Sequence, residues 1–223
     1  SGWSAFVGFN EPTPSGLVGR WMFDEGSGTT ANDASGFVNT GSLSNSPAWT
    51  NGVVQRALLF NNASCQLASS IPSICGTKTR STSFWINGAT AAFNQVMFEY
   101  GIVSALKRYT LYCELTTGRP AIEFNTGNIT GINSVLDSTW HHVVLTFSPS
   151  ATHSFYKDGI TQVISTNGSI SINTTTNVPI IGDIIGFGAP LLNTKIDDFR
   201  FYNRVLSQDE ITRLYNGGHG SQH

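Results

Sequence analysis

Three glutamates, Glu99, Glu114 and Glu123, fall within 25 residues of one another in a stretch rich in aromatic and β-branched side chains. Paired carboxylates are the usual acid and base of glycosidic bond cleavage. Carboxylates beside an amide and an aromatic ring can instead bind a sugar, the ring stacking on C–H groups and the oxygens accepting from hydroxyls. The local spacing fits the second use better. Gln95 and Glu99 alternate with Val96, Phe98 and Tyr100, and Glu123 and Asn125 alternate with Ile122 and Phe124. Tyr112 and Glu114 share a face of their segment. With the registers aligned, Gln95, Glu99, Tyr112, Glu114, Glu123 and Asn125 line one polar sheet face as ligand-binding candidates. The competing account is that this is simply the solvated side of a sheet.

Other catalytic signatures are missing. No Glu-X-Asp-X-Glu run places two carboxylates on one face of one strand. There is no Gly-X-Ser-X-Gly elbow, phosphate loop or dinucleotide fingerprint. His141 and His142 are adjacent in a strand-like run, so one points inward, and a structural histidine is the better reading than a general base.

The elements that position these residues read as short strands. Leu17–Phe23, Arg56–Asn61, Thr82–Ile86, Gln95–Tyr100, Tyr109–Leu115, Ala121–Asn125 and Trp140–Phe147 have the composition of strands. So do Ser154–Lys157 and Ile160–Ile164, joined by an Asp158-Gly159 hairpin turn, followed by Ser169–Ile172, Pro179–Ile181 and Ile196–Tyr202. One helix is expected. Ser207 and Glu210 form a capping box, Ile211, Leu214 and Tyr215 share a face, and Gly217-Gly218 ends it. Trp85 and Trp140 read as core.

Composition agrees. In 223 residues only 12% are charged, 39% are hydrophobic and 23 are glycine, which suits strands and tight turns better than a helical bundle. The net charge of −2 comes with no basic stripe, against nucleic acid and anionic membrane surfaces as main partners. No apolar run is long enough for membrane insertion. The opening Ser1-Gly2-Trp3 fits either a processed mature form or an excised module. Three cysteines leave two readings open: a Cys65–Cys75 disulfide with Cys113 alone, or three buried thiols. Asn62, Asn128, Asn167 and Asn173 stand in glycosylation sequons, which a chain this rich in Asn, Ser and Thr also forms by chance.

Seven segments in order resemble one family. Leu17-Val-Gly-Arg-Trp-Met-Phe-Asp-Glu-Gly-Ser-Gly28, Asp33-Ala-Ser-Gly36, Trp49-Thr-Asn-Gly52 running to Ala57-Leu-Leu-Phe60, and Ser83-Phe-Trp-Ile86 come first. Thr139-Trp-His-His-Val-Val-Leu-Thr146, Tyr156-Lys-Asp-Gly159 and Ile196-Asp-Asp-Phe-Arg-Phe-Tyr-Asn-Arg-Val-Leu-Ser207 follow. Together they resemble laminin-G-like, concanavalin A-like jelly-roll domains over residues 17–216. The resemblance implies an all-β, two-sheet antiparallel jelly-roll sandwich with one short C-terminal helix, flanked by a lead-in at 1–16 and a tail at 217–223. It also implies that the first and last strands pair, so that Trp21, Phe23, Phe199 and Phe201 fill one end of the core.

The function implied is a non-catalytic recognition module, secreted or surface-exposed, binding a glycan or a surface protein. Two alternatives stand beside it: a structural or adhesion component of a surface assembly, filament or phage particle, and a divergent polysaccharide hydrolase or lyase. The family's structural calcium would fall to Asp24, Asp33, Asp197 and Asp198 with loop carbonyls. Ordinary turn bonding for Asp24 and Asp33, and pairing with Arg20 or Arg200 for the other two, would account for the same residues. The aromatic lead-in, with Trp3, Phe6 and Phe9, suggests self-association through residues 1–16 by strand addition.

Overall fold

Alternation at period two sends Trp21, Phe84, Val143, Leu145, Phe199 and Phe201 to one side of their strands. It leaves Arg20, Ser83, His142, Val144, Arg200 and Tyr202 on the other. The computed structural model describes residues 15–124, 127–148, 151–167, 172–183 and 189–221. In it these strands build the first of two antiparallel sheets. Its order is Ile160–Thr161, Ala151–Lys157, His141–Ser148, Arg80–Asn87, Thr194–Tyr202, Arg56–Phe60 and Ala48–Asn51, with Leu17–Trp21 also paired to Thr194–Tyr202. The second sheet runs Ile164–Asn167, Asn128–Gly131, Pro120–Glu123, Arg108–Cys113, Gln95–Gly101, Ile180–Ile181, Ser64–Leu67, Gly41–Ser44 and Thr30–Ala31. Stacked face to face, the two make a jelly-roll sandwich.

Aromatic rings fill the space between the sheets. Phe98 of the second sheet meets Phe199 and Phe201 of the first edge-on, with centroids 5.6 Å apart in each pair. Phe84 stacks on Phe199 at 5.2 Å, and Trp21 stands edge-on to Phe201 at 6.0 Å. Trp21, Phe23, Phe199 and Phe201 all lie in this core, and the first and last strands pair through Arg20↔Arg200 and Trp21↔Phe199. Phe23 reaches it from beyond the strand end with a positive φ of 58° rather than by alternation.

The helix, Gln208–Tyr215, covers the outer side of the first sheet. The Ser207 hydroxyl accepts from the Glu210 amide while the Glu210 carboxylate accepts from the Ser207 amide, and Asn216 closes the far end in the left-handed region. Ile211 and Leu214 pack on Leu17, Val144, Tyr202 and Leu206. Tyr215 stacks on Trp85, centroids 5.8 Å apart, and Trp85 lies 5.0 Å from His142. The tail is packed as well. The Ser221 carbonyl accepts from Arg200 at 2.7 Å and from Arg20 at 3.2 Å.

The structure departs from the sequence expectations in several places. Trp85 is buried as expected, under the helix rather than between the sheets, whereas Trp140 is only half-buried, just outside its strand. The Asp158-Gly159 turn forms with both residues at positive φ, as expected. The strand after it stops at Thr161, however, and Ile164–Asn167 crosses to pair with the second sheet. The three cysteines are buried free thiols: Cys65 faces the core from a strand, and burial pushes its thiol up to about 12. Residues 1–14, with Trp3, Phe6 and Phe9, and most of Ser169–Ile172 lie outside the described residues.

Candidate functional site

The outer face of the second sheet is built by register. Glu99 pairs with Thr110, Thr110 with Glu123, and Glu123 with Asn128, so these four side chains form one row across four strands. Val96, Tyr112, Ala121 and Thr130 form the next row. The inward positions between them, Phe98, Leu111, Ile122 and Ile129, are all in the core. At one end of this face Gly101, with φ of 95°, lets the chain turn close against the next strand. A Cβ there would lie 2.2 Å from the Lys107 carbonyl oxygen.

Charges on this face are bound to one another. Arg108 is buried and donates through Nε to Glu99 at 2.5 Å, and Thr110 donates to the same carboxylate at 3.0 Å. Glu114 accepts from Arg119 at 3.0 Å, from Thr117 at 3.1 Å and from Thr130 at 3.4 Å. Glu123 is different. Its side chain is 37% exposed, it accepts no hydrogen bond among the described residues, and its nearest cation is Arg108 at 3.9 Å. Tyr112 is half-buried beside small Ala121, with its hydroxyl accepting from Asn128 at 3.3 Å. Burial pushes its phenol above the usual range, and the charges of Glu114 and Glu123 add to that.

Of the six expected ligand-binding residues, Glu99, Tyr112, Glu114 and Glu123 meet on this face. Gln95 does not. A bulge between Val96 and Phe98 shifts the phase of its strand by one residue, so Gln95 pairs beside inward-facing Cys113. There its amide donates to the Ala89 carbonyl at 2.8 Å and accepts from Leu192 at 2.9 Å. Asn125 lies outside the described residues. Arg108, Thr110, Arg119, Asn128 and Thr130 belong to the face and were not among those expected. Arg108 and Thr110 hold the same alternate phase as Tyr112, which was the available signal, whereas Asn128 stood out only as a sequon.

The four aspartates expected to hold calcium divide in two. Asp33 gives both oxygens to the backbone, accepting from Arg20 at 2.9 Å, Ser35 at 2.8 Å and Asn39 at 2.9 Å. Asp198, at the bulge of the last strand, is clamped by Arg20 at 2.8 Å and by Arg200. Burial works against its charge, but the two guanidinium groups hold its carboxyl below the usual range. The oxygens of these two aspartates are already engaged, Asp33 by backbone amides and Asp198 by two guanidinium groups, the turn bonding and arginine pairing that the sequence offered beside calcium.

Asp24 and Asp197 grip opposite ends of one turn. Asp197 accepts from the Val53 and Val54 amides at 2.7 and 2.8 Å, and Asp24 from the Arg56 amide at 2.8 Å. A Cβ on Gly52 would lie 2.4 Å from the Asp197 carboxylate, so the turn requires glycine there. The second oxygen of each aspartate, and one oxygen of Glu25, is buried without a hydrogen-bond partner. Burial, with the nearby charges of Asp198 and Asp24, pushes Asp197 up to about 8. Hard carboxylate oxygens of this kind suit calcium. Among the described residues no three His, Cys, Asp or Glu side chains converge into a metal cluster, so carbonyls or water would complete the shell.

Solved structures share this fold. Domain 4 of AbnA, a GH43 extracellular arabinanase from Geobacillus stearothermophilus, in complex with arabinotriose, superposes with a TM-score of 0.69 at 17% identity, covering 88% of this chain and 96% of that one. The binding domain of Paraclostridial Mosquitocidal Protein 1 gives 0.68 at 15%, covering 91% and 52%. The binding domain of Botulinum Neurotoxin DC in complex with SialylT gives 0.68 at 10%, covering 91% and 51%. The chain thus spans about half the length of the two toxin binding domains, and at these identities the likeness is one of fold. No curated protein matches the sequence. No helix among the described residues is long and apolar enough to cross a membrane. The model of the concanavalin A-like lectin/glucanases superfamily (Laminin_G_3) matches residues 59–212, more than half of the chain, which therefore belongs to that family.

Proposed function

We propose that this domain is a non-catalytic carbohydrate-binding module, secreted or displayed on a cell or particle surface, that takes its glycan across the outer face of the second sheet. The observation that carries this reading is the half-exposed ring of Tyr112 with Glu114, Glu123 and Asn128 around it. Such a ring beside hydrogen-bonding groups offers both halves of sugar recognition. Two of the fold relatives were solved with arabinotriose and with SialylT. Hydrolysis needs two working carboxylates. Here Glu99 and Glu114 are each held by an arginine, which leaves Glu123 as the uncommitted one among the described residues of this face.

Calcium belongs to this reading as a stabiliser of the turn at Val53–Arg56, held by Asp24 and Asp197 through their unpartnered oxygens. Bound there, the ion supplies positive charge to buried carboxylates. Residues 1–16 are the segment we would assign to self-association.

A glycan array probed with the purified chain, in calcium and in chelator, tests the proposal. Saturable binding to one glycan class is expected, lost in Tyr112→Ala while the melting temperature holds, together with a lower melting temperature in chelator. Binding to no glycan in either condition would overturn the carbohydrate reading in favour of a scaffold or adhesion component. An unchanged melting temperature would remove the calcium.

A further inference from the structure

Resting on that reading of the second-sheet face, we infer that the site selects neutral sugars through a pair of adjacent hydroxyls and rejects acidic ones. Three carboxylates, Glu99, Glu114 and Glu123, lie on or beside two neighbouring rows of one sheet. The two arginines among them are committed: Arg108 is buried against Glu99, and Arg119 is bound to Glu114 at 3.0 Å. Neither is positioned as an open fork for the carboxylate of a sialic or uronic acid, the geometry that acidic-sugar recognition requires.

Glu123 supplies the complementary capacity. An ionised carboxylate is acceptor-only and can take two donors at once. With 37% exposure and no hydrogen bond among the described residues, it is placed to accept from two neighbouring hydroxyls of one ring. Asn128 sits beside it in register. Its amide nitrogen gives one hydrogen to Tyr112, which leaves its carbonyl oxygen as an acceptor and its second N–H as a donor for a neutral hydroxyl. Tyr112, one row along, offers its ring to the sugar's C–H face. A ligand rich in hydroxyl donors and free of negative charge satisfies all three, whereas an anionic ligand meets Glu123, whose nearest cation is 3.9 Å away, as a like charge. Like-charge contact is a rejecting element in its own right.

Titration calorimetry of the full chain decides the point, with arabinotriose and cellotriose as neutral probes and 3′-sialyllactose and trigalacturonic acid as acidic ones. The expected result is binding of a neutral probe, with both acidic probes roughly tenfold or more weaker. Glu123→Gln turns an acceptor pair into one acceptor and one donor. Neutral affinity should fall by about ten- to a hundredfold, the gap between neutral and acidic probes should narrow, and the melting temperature should stay in place. Tighter binding of an acidic probe than of either neutral one would overturn the inference and leave carbohydrate binding standing. So would unchanged neutral affinity in Glu123→Gln. Absence of binding by all four probes, in a chain that also binds nothing on the array, would overturn both.

Discussion

The two sheets of the sandwich present outer faces of the same construction and opposite use. Each carries charged and hydrogen-bonding side chains at alternate positions, and each has arginines bound to carboxylates. On the first sheet the cluster of Arg20, Arg200 and Asp198 is sealed beneath the helix and the tail, and all three side chains are buried. On the second sheet the row of Glu99, Thr110, Glu123 and Asn128 starts buried and ends half-exposed. Polar residues on a sheet face therefore do not reveal a site by their type. What separates structure from site is whether something later in the chain returns to cover them, and here only the first sheet receives the helix.

Substitutions should divide along the same line. The largest effect is expected from Asp198→Ala, which leaves Arg20 and Arg200 buried without their carboxylate. It should cost about 3–5 kcal/mol in urea unfolding, and a loss under 1 kcal/mol would mean that the covered face is more hydrated than its burial indicates. Acid should also act on the covered face. Burial, helped by Arg200, pushes His142 down to about 3, far below the unfolded histidine at about 6.5. Between those values the unfolded chain binds a proton that the folded one refuses. The stability contributed by neutral His142 is thus full above about pH 6.5 and is lost as pH falls towards 3. His142→Phe should lose less stability than the parent between pH 6.5 and 4, and parallel curves for the two proteins would refute this assignment. The smallest effect is expected from Ser207→Ala, which uncaps the helix at a cost of about 1 kcal/mol. Glycan affinity should be unmoved in that variant, because its site lies on the other sheet. A coupled loss of binding would erase the contrast between the faces.

Much of this arrangement can be read from the chain, and the failures are as physical as the successes. Where a ladder runs unbroken, alternation places side chains correctly: Tyr112 with Glu114, Glu99 with Thr110, and Trp21 against Phe199 and Phe201. The capping box and the Asp158-Gly159 turn are local chemistry and form as written. Alternation fails at bulges, which insert one residue without a signature in composition. One bulge turned Gln95 inward, and another set Asp198 between Arg20 and Arg200, the ion pairing that stood beside metal binding as its sequence expectation. Glu99 is committed by Arg108 and Thr110 of the neighbouring strand, which its own neighbourhood does not show, whereas Asp33 and Glu114 are held largely by residues two to six positions away, Ser35, Asn39, Thr117 and Arg119, as local turn chemistry allows.

The bulge in Thr194–Tyr202 also bears on how the molecule comes into being. Below it this strand pairs along one flank with Arg56–Phe60, and above it with Leu17–Trp21. Its other flank is held by Arg80–Asn87. Within this domain the seam of the first sheet is therefore synthesised long after Leu17–Trp21, the strand that needs it most. Contacts so far apart in the chain carry a high loop-closure cost and slow folding. During synthesis Trp21 must wait for Phe199 and Phe201 to arrive, its apolar surface open to premature association. A chain cut short before this strand would keep most of the second sheet's ladder yet have no means of closing the first.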